Sequence, residues 1–158
     1  MTQAVLRLHE GVDGPVLAAF LACAYSRTDG DAWTGRWTVD ETYGRWKFAG
    51  LPKRPALLAA AWVDNRIAGT LSLRPLPAVW NGQAVMAAEV GDLFVAPELR
   101  GRGILGQLAR LLAEGARRHG YQLVFSIPNP RGLEALLRSD EFVLAPRAER
   151  LLLSLIHI

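Results

Sequence analysis

Cysteine is almost missing from this chain. Cys23 stands alone among 158 residues, so no intramolecular disulfide can form and nothing calls for an oxidising compartment. Metal-ligand spacing is missing as well: His9, His119 and His157 stand far apart, with no Cys or His at ligand spacing, and no metal site is expected. Long apolar runs are absent. The longest, "PALLAAAWV" at Pro55–Val63, is about half of a membrane span. Met1–Glu10 carries Arg7 and Glu10 where a signal peptide would be apolar. Lysine is scarce, since arginine supplies sixteen of the eighteen basic residues. Those arginines scatter from Arg7 to Arg150, clustering only in "LRGR" and "ARRHG". A nucleic-acid binder would show a basic stripe with exposed aromatics, so the net charge of +3 suits a solvated surface. The expectation is a soluble cytoplasmic protein with no nucleic-acid or membrane partner.

The 51% hydrophobic content excludes a disordered chain. A single domain over residues 1–158 is expected, large enough to bury about two-thirds of its unfolded surface. "AVLRLHE" alternates as a first strand, and "VLAAFLACAYSR" has helical spacing. In "WTVDETYGRWKF", Thr38 and Glu41 form a capping-box signature for a short second helix. "ALLAAAWV", Asp64-Asn65 and "RIAGTLSLRPL" read as a hairpin, and "QAVMAAEVGDLFV" adds a long third strand that Pro97 stops. Arg102–His119 has one apolar face (Ile104, Leu105, Leu108, Leu111, Leu112, Ala116), with Gly120 placed to cap it. "YQLVFSI" is a strand, "NPRGLEALLRSD" a helix, and "EFVLAP" with "RLLLSLIHI" one or two last strands. The fold class is mixed α+β: a central mixed sheet of six or seven strands flanked by about four helices.

The most informative stretch is "LFVAPELRGRGILGQL". Gly101, Gly103 and Gly106 spell G-x-G-x-x-G, a dinucleotide-binding fingerprint. That loop belongs directly after the first strand of a βαβ unit. Here five residues, "APELR", separate Val95 from Gly101, several strands come first, and "FSIPNP" ends the next strand without the acid that would bind a ribose. Read from Arg100, the letters spell R-G-x-G at the head of a helix. A helix N-terminus presents unpaired N–H groups and a positive dipole end to phosphate. Glycines bring the oxygens close, and Arg100 and Arg102 can add charge-assisted bonds.

That arrangement resembles the acyl-CoA-binding core of the GNAT superfamily of N-acyltransferases, whose motif runs Q/R-x-x-G-x-G/A. Arg100 and Gly103 match it; Leu105 stands where Gly or Ala is usual. The element order matches over nearly the whole chain. "RWKFAG" and "SIPNPRG" look like a bacterial subgroup of often larger members. The resemblance implies acetyl-CoA or another acyl-CoA as cosubstrate, held by Leu93, Phe94, Val95, Arg100, Gly101, Arg102, Gly103, Ile104, Leu105, Gly106 and Asn129. It also implies a small-molecule primary amine as acceptor, and a homodimer is compatible with it.

Alternation in the long strand sets Val85, Ala87, Glu89, Gly91, Leu93 and Val95 on one face, and Met86, Ala88, Val90, Asp92 and Phe94 on the other. Both faces are mostly apolar, as in a central strand covered on both sides. Desolvation there would push a carboxyl pKa upward, as a general base requires; pairing with an arginine across the sheet is the competing reading. Counting back from Arg100, Glu89 falls where family members carry a glutamate base, which implies proton removal from the acceptor ammonium. Backbone N–H groups near Leu93–Val95 would then polarise the thioester carbonyl. Asp92 is the competing base or a substrate anchor. Leu137 stands where the family often has a tyrosine acid, with Ser126, Ser139 or water as substitutes. A catalytically inactive acyl-CoA-binding or regulatory module is therefore the alternative to an EC 2.3.1-type enzyme. Trp33, Trp37, Tyr43, Trp46 and Phe48 form either an acceptor wall or ordinary packing. The abrupt stop at "RLLLSLIHI" is compatible with a truncated carboxyl end.

Overall fold

A computed structural model describes residues 3–25, 40–49, 51 and 54–144. Along the chain run β1 (Val5–Glu10), α1 (Gly14–Tyr25), α2 (Glu41–Lys47), β2 (Leu57–Val63), β3 (Arg66–Trp80) and β4 (Gln83–Val95). A 3-10 turn at Pro97–Leu99, α3 (Ile104–Arg118), β5 (Leu123–Phe125) and α4 (Pro130–Leu137) follow. The strands form one mixed sheet in the order β1-β2-β3-β4-β5. β1 to β4 pair antiparallel, and β5 joins β4 in parallel.

Two tight turns set this meander. Asp64 and Asn65 take φ of 47° and 59°, and Asn81 and Gly82 take 50° and 77°. Positive φ at both central residues is what a two-residue hairpin turn matched to strand twist requires. The second turn extends β3 beyond "RIAGTLSLRPL", through Pro75 and Pro77 to Trp80. The two prolines are tolerated because β2 pairs β3 only over Arg66–Leu73. Beyond that, one edge of β3 has no partner strand among the described residues, and a missing N–H there breaks no ladder bond.

Five strands stand among the described residues, against six or seven expected. The described part of "EFVLAP", Glu141–Leu144, forms no strand; Val143 and Leu144 are exposed there. The remainder and "RLLLSLIHI" lie outside the described residues. β5 covers only Leu123–Phe125 of "YQLVFSI". The cap of α2 also differs: Asp40, not Thr38, is the N-cap, and its carboxylate accepts the Tyr43 N–H at 2.9 Å. Thr38 itself lies outside the described residues.

β2 is buried on both faces, and its small residues let the layers approach. Leu57, Ala59 and Ala61 share a cluster with Leu71, Leu73, Ala88, Val90 and the α3 residues Leu108, Ala109, Leu112 and Ala116. On the opposite face Leu58 and Ala60 pack with Val12, Leu17 and Phe20 beside α1. A Cβ on Gly115 would come within 2.6 Å of Leu8 Cδ2, so glycine there lets α3 lie directly on the sheet. The C-terminus of α3 closes with the Tyr121 N–H on the Ala116 carbonyl at 3.1 Å and the Gly120 N–H on that of Arg117, with Gly120 at φ 67°. This is the glycine-capped helix end expected from the sequence.

Tyr121 then turns inward, its hydroxyl donating to the Pro55 carbonyl at 2.6 Å. Burial pushes its pKa up to about 12, opposed by the Arg54 charge. Since the folded value lies above the unfolded one, its contribution to stability is complete below about pH 10 and is lost as pH rises toward 12. Ultraviolet titration should find one phenol ionising near 12 in the folded chain. Tyr121→Phe should remove that transition and cost about 1 kcal/mol in urea unfolding.

Candidate active site

β4 does not keep its alternation to the end. Its register with β3 pairs Gly91 with Ser72 and Phe94 with Thr70, so one extra residue is accommodated between. Asp92 sits at this bulge with φ 51°, a left-handed conformation that costs a non-glycine residue about 1 kcal/mol or more. Side chains from α2 and β3 hold it. Lys47 Nζ donates to Asp92 Oδ1 at 2.7 Å, Ser72 Oγ donates to Oδ2, and Thr70 Oγ1 donates to the Asp92 carbonyl at 2.6 Å. The Asp92 side chain is 8% exposed.

The bulge overturns the predicted faces. Asp92 moves to the face of Glu89 and Gly91, toward α2, while Leu93 joins Ala88 and Val90 on the α3 side. A bulge adds a residue without adding a pleat, so every side chain beyond it changes face.

The same segment parts from β5. The parallel ladder covers only Ala87–Glu89 against Leu123–Phe125, and beyond it Ser126 Oγ donates to the Val90 carbonyl at 2.9 Å. From Gly91 to Val95 one edge of β4 therefore faces a cleft of about 810 Å³. Edge backbone there is available to hydrogen-bond a ligand. Glu89, Asp92, Leu93, Phe94, Val95, Arg100, Gly101, Gly103, Ile104, Leu105, Gly106 and Asn129 all line this cleft. Arg102 does not, and Arg131 and Arg138 do; the two missed arginines lie on or just past α4, distant in sequence from the glycine motif.

Gly101 and Gly103 take φ of 73° and 71°, and Gly103 is the N-cap of α3, with no side chain capping it and no acid in the first turn. A Cβ at Gly101 or Gly106 would meet no protein atom within 4 Å, and at Gly103 only Gln107 Nε2 at 4.0 Å. Open space at three glycines beside uncapped N–H groups fits a pyrophosphate cradle. Arg100 Nε donates to the Val95 carbonyl at 2.9 Å, tying loop to strand. Asn129 Oδ1 accepts the Gly132 N–H at 2.8 Å and so caps α4.

A second cavity, of about 250 Å³, opens on the other side of β4, lined by Tyr43, Trp46, Lys47, Ser72, Arg74, Glu89 and Gly91. Glu89 and Gly91 are common to both cavities. Glu89 is not in the apolar setting its strand predicted. Its side chain is 34% exposed and pairs with Arg74, its cross-strand neighbour, at 2.6 Å. The cause is the face it occupies, where α2 offers Lys47 and aromatic rings in place of an aliphatic cover. Of the aromatics singled out in the sequence, Tyr43 and Trp46 line this cavity, while Phe48 packs edge-on against Phe20 at 5.1 Å in the core. Trp33 and Trp37 lie outside the described residues.

Residues 20–136 match the model of the acetyltransferase (GNAT) family. The chain belongs to that family. No curated protein matches it in sequence. Among solved structures it is similar to a predicted acetyltransferase with acetyl-CoA from Clostridium acetobutylicum, at 14% identity and a TM-score of 0.74 over 96% of this chain and 97% of that one. An aminoglycoside acetyltransferase from an uncultured soil metagenomic sample, in complex with sisomicin, matches at 16% identity and TM-score 0.69 over 96% of both chains. Glucosamine-6-phosphate N-acetyltransferase from Arabidopsis thaliana matches at 10% identity and TM-score 0.64, over 96% of this chain and 99% of that one. These likenesses establish the GNAT fold. Acyl-CoA-dependent acetyl transfer is the activity of the family.

Leu137, expected from the sequence resemblance to replace a tyrosine acid, is the last residue of α4 and is exposed. Ser139 Oγ donates to the Leu136 carbonyl at 2.6 Å, so both alternative hydroxyls, on Ser126 and Ser139, are bonded to backbone carbonyls. Lys47 and Ser72, which shape the GNAT cleft through Asp92, carried no sequence signal, because they come from α2 and β3 and meet only in the fold. Lys47→Met leaves the Asp92 carboxylate buried without its cation and should destabilise the chain by about 3 kcal/mol. In urea unfolding the control Arg45→Met, whose pair with Glu41 is exposed, should stay within about 0.5 kcal/mol.

Proposed function

We propose that this chain is an N-acyltransferase that moves an acetyl or other short acyl group from acyl-CoA to a primary amine by direct attack in a ternary complex, in the cytoplasm. One observation carries the reading: Glu89 and Gly91 line both the glycine-loop cleft and the cavity beside α2. A thioester entering from one side and an amine from the other would meet at that strand.

In this reading the α3 N-terminus, Gly101, Gly103 and Arg100 hold the pyrophosphate, and Arg131 and Arg138 add positive charge across the cleft. The free edge of β4 near Leu93–Val95 holds the pantetheine and donates to the thioester carbonyl as charge grows on its oxygen. Glu89 takes a proton from the acceptor ammonium. The amine nitrogen then bonds the carbonyl carbon, and the carbon–sulfur bond breaks. A second nitrogen proton leaves with the sulfur as the thiol. Asp92, held by Lys47 and Ser72, anchors the bulge and is assigned no proton. Leu137 cannot donate a proton, so water supplies any acid.

The same leucine and the committed serine hydroxyls favour a second reading, an acyl-CoA-binding module without turnover. Calorimetric titration with acetyl-CoA and an amine panel followed by thiol release separate the two. Acetyl-CoA should bind and Gly103→Glu should abolish it, because a carboxylate and a Cβ at φ 71° would occupy the cradle. Glu89→Gln should still bind and should lower the turnover rate about 10²–10⁴-fold. Binding without turnover on any amine would establish the second reading, and turnover unchanged in Glu89→Gln would remove the base assignment.

A further inference from the structure

The cavity beside α2 differs from what a polyamine requires. A cationic acceptor is best received by uncompensated carboxylates and aromatic faces. Here the two carboxylates on this side are already ion-paired, Asp92 with Lys47 and Glu89 with Arg74. The cations stand on the aromatic walls: Lys47 Nζ lies 5.8 Å from the Tyr43 ring centre, and the Arg74 guanidinium 5.9 Å from that of Trp46. Among the described residues lining this cavity, an added ammonium therefore meets two positive groups and no unneutralised carboxylate.

Arg74 offers the opposite chemistry. Its side chain is 41% exposed, and its fork carries five N–H donors. Only the Nη2 bond to Glu89 engages them among the described residues. A planar guanidinium backed by an indole face and open to a cavity is a fork for an oxyanion. The volume of about 250 Å³ lies just below the ~300–1,000 Å³ usual for drug-sized ligands, so the acceptor is small.

Resting on the N-acyltransferase reading, we propose that the acceptor is a small primary amine bearing an oxyanion, either carboxylate or phosphate, and that Arg74 receives this group. Binding then shifts Arg74 from Glu89 toward the acceptor. In the free protein the Arg74 charge is paired at 2.6 Å with one oxygen of the carboxylate that must take the proton. An oxyanion on Arg74 neutralises that charge, and Glu89 can accept a proton from the acceptor ammonium while the nitrogen lone pair forms the new C–N bond. Arg74 is thus both a specificity determinant and a positioning residue for Glu89, so the oxyanion should lower KM and raise kcat together.

The test uses matched pairs with acetyl-CoA on the full chain: α-amino acids beside their carboxamides, and a phosphorylated amino sugar beside its unphosphorylated form. An aminoglycoside serves as the polycationic arm. The oxyanion member of at least one pair should exceed its neutral partner about 10- to 100-fold in kcat/KM, and which pair responds identifies carboxylate or phosphate. Arg74→Gln should collapse that ratio toward one, with Arg74→Lys between, and circular dichroism melts should show that each variant folds. If Arg74→Gln does not fold, the wild-type ratios and Arg74→Lys carry the test. Binding of each amine, followed by tryptophan fluorescence in the presence of CoA, gives a readout without turnover. Turnover that favours neutral or polycationic amines, or a ratio indifferent to Arg74, overturns this inference and leaves the acyltransferase reading standing. Arg74-dependent binding without turnover supports the inference and overturns that reading. Neither binding nor turnover overturns both.

Discussion

Asp92 holds a left-handed backbone conformation inside a strand, and the shape of the candidate site follows from it. With φ at 51°, the residue inserts a bulge into the strand that would otherwise run straight between β3 and β5. Burying an ionised carboxylate to do so requires a cation and full hydrogen bonding. Lys47 supplies the charge, and Ser72 and Thr70 supply the bonds. The contact also ties α2 to the sheet, so one interaction sets the edge of the glycine-loop cleft and the wall of the cavity beside α2. A carboxylate that reads in sequence as a candidate base is, in the fold, a strut between the two cavities.

Close approach of α3 is the second constraint. Alanines on β2, Gly69 on β3 and Gly115 on α3 remove the side chains that would hold the helix off the sheet. Its uncapped N-terminus is thereby placed beside the free edge of β4. A thioester threaded between them would meet the helix dipole at its phosphates and the strand backbone near its carbonyl. The polar residues near the junction face the α2 side, and the aliphatic ones face α3. Ion pairs and aliphatic packing thus occupy opposite faces of the same strand, with Glu89 lining both cavities.

Much of this was legible in the amino-acid sequence, for local reasons. Turn residues Asp64 and Asn65 announce the first hairpin, Gly120 announces the end of α3, and the apolar spacing from Ile104 to Ala116 announces its buried face. The glycine motif announces a helix N-terminus open to phosphate, because φ and steric freedom are properties of single residues. Legibility failed where a neighbour in space decides. Pro75 and Pro77 argue against a strand until the partnerless edge of β3 is known. Glu89 reads as buried until α2 is seen to present Tyr43, Trp46 and Lys47 to it.

Most element types, the first hairpin, the phosphate-loop signature and the family resemblance were determined by the chain's letters alone, since each rests on residues close in sequence. Tertiary structure alone decided which carboxylate is held and which faces a cavity. Lys47 and Asp92 lie 45 residues apart and Arg74 and Glu89 lie 15 apart. A bulge that reverses a strand's faces has no local signature in "EVGDLFV". Ion pairs across a sheet depend on register, and register is a property of two strands at once.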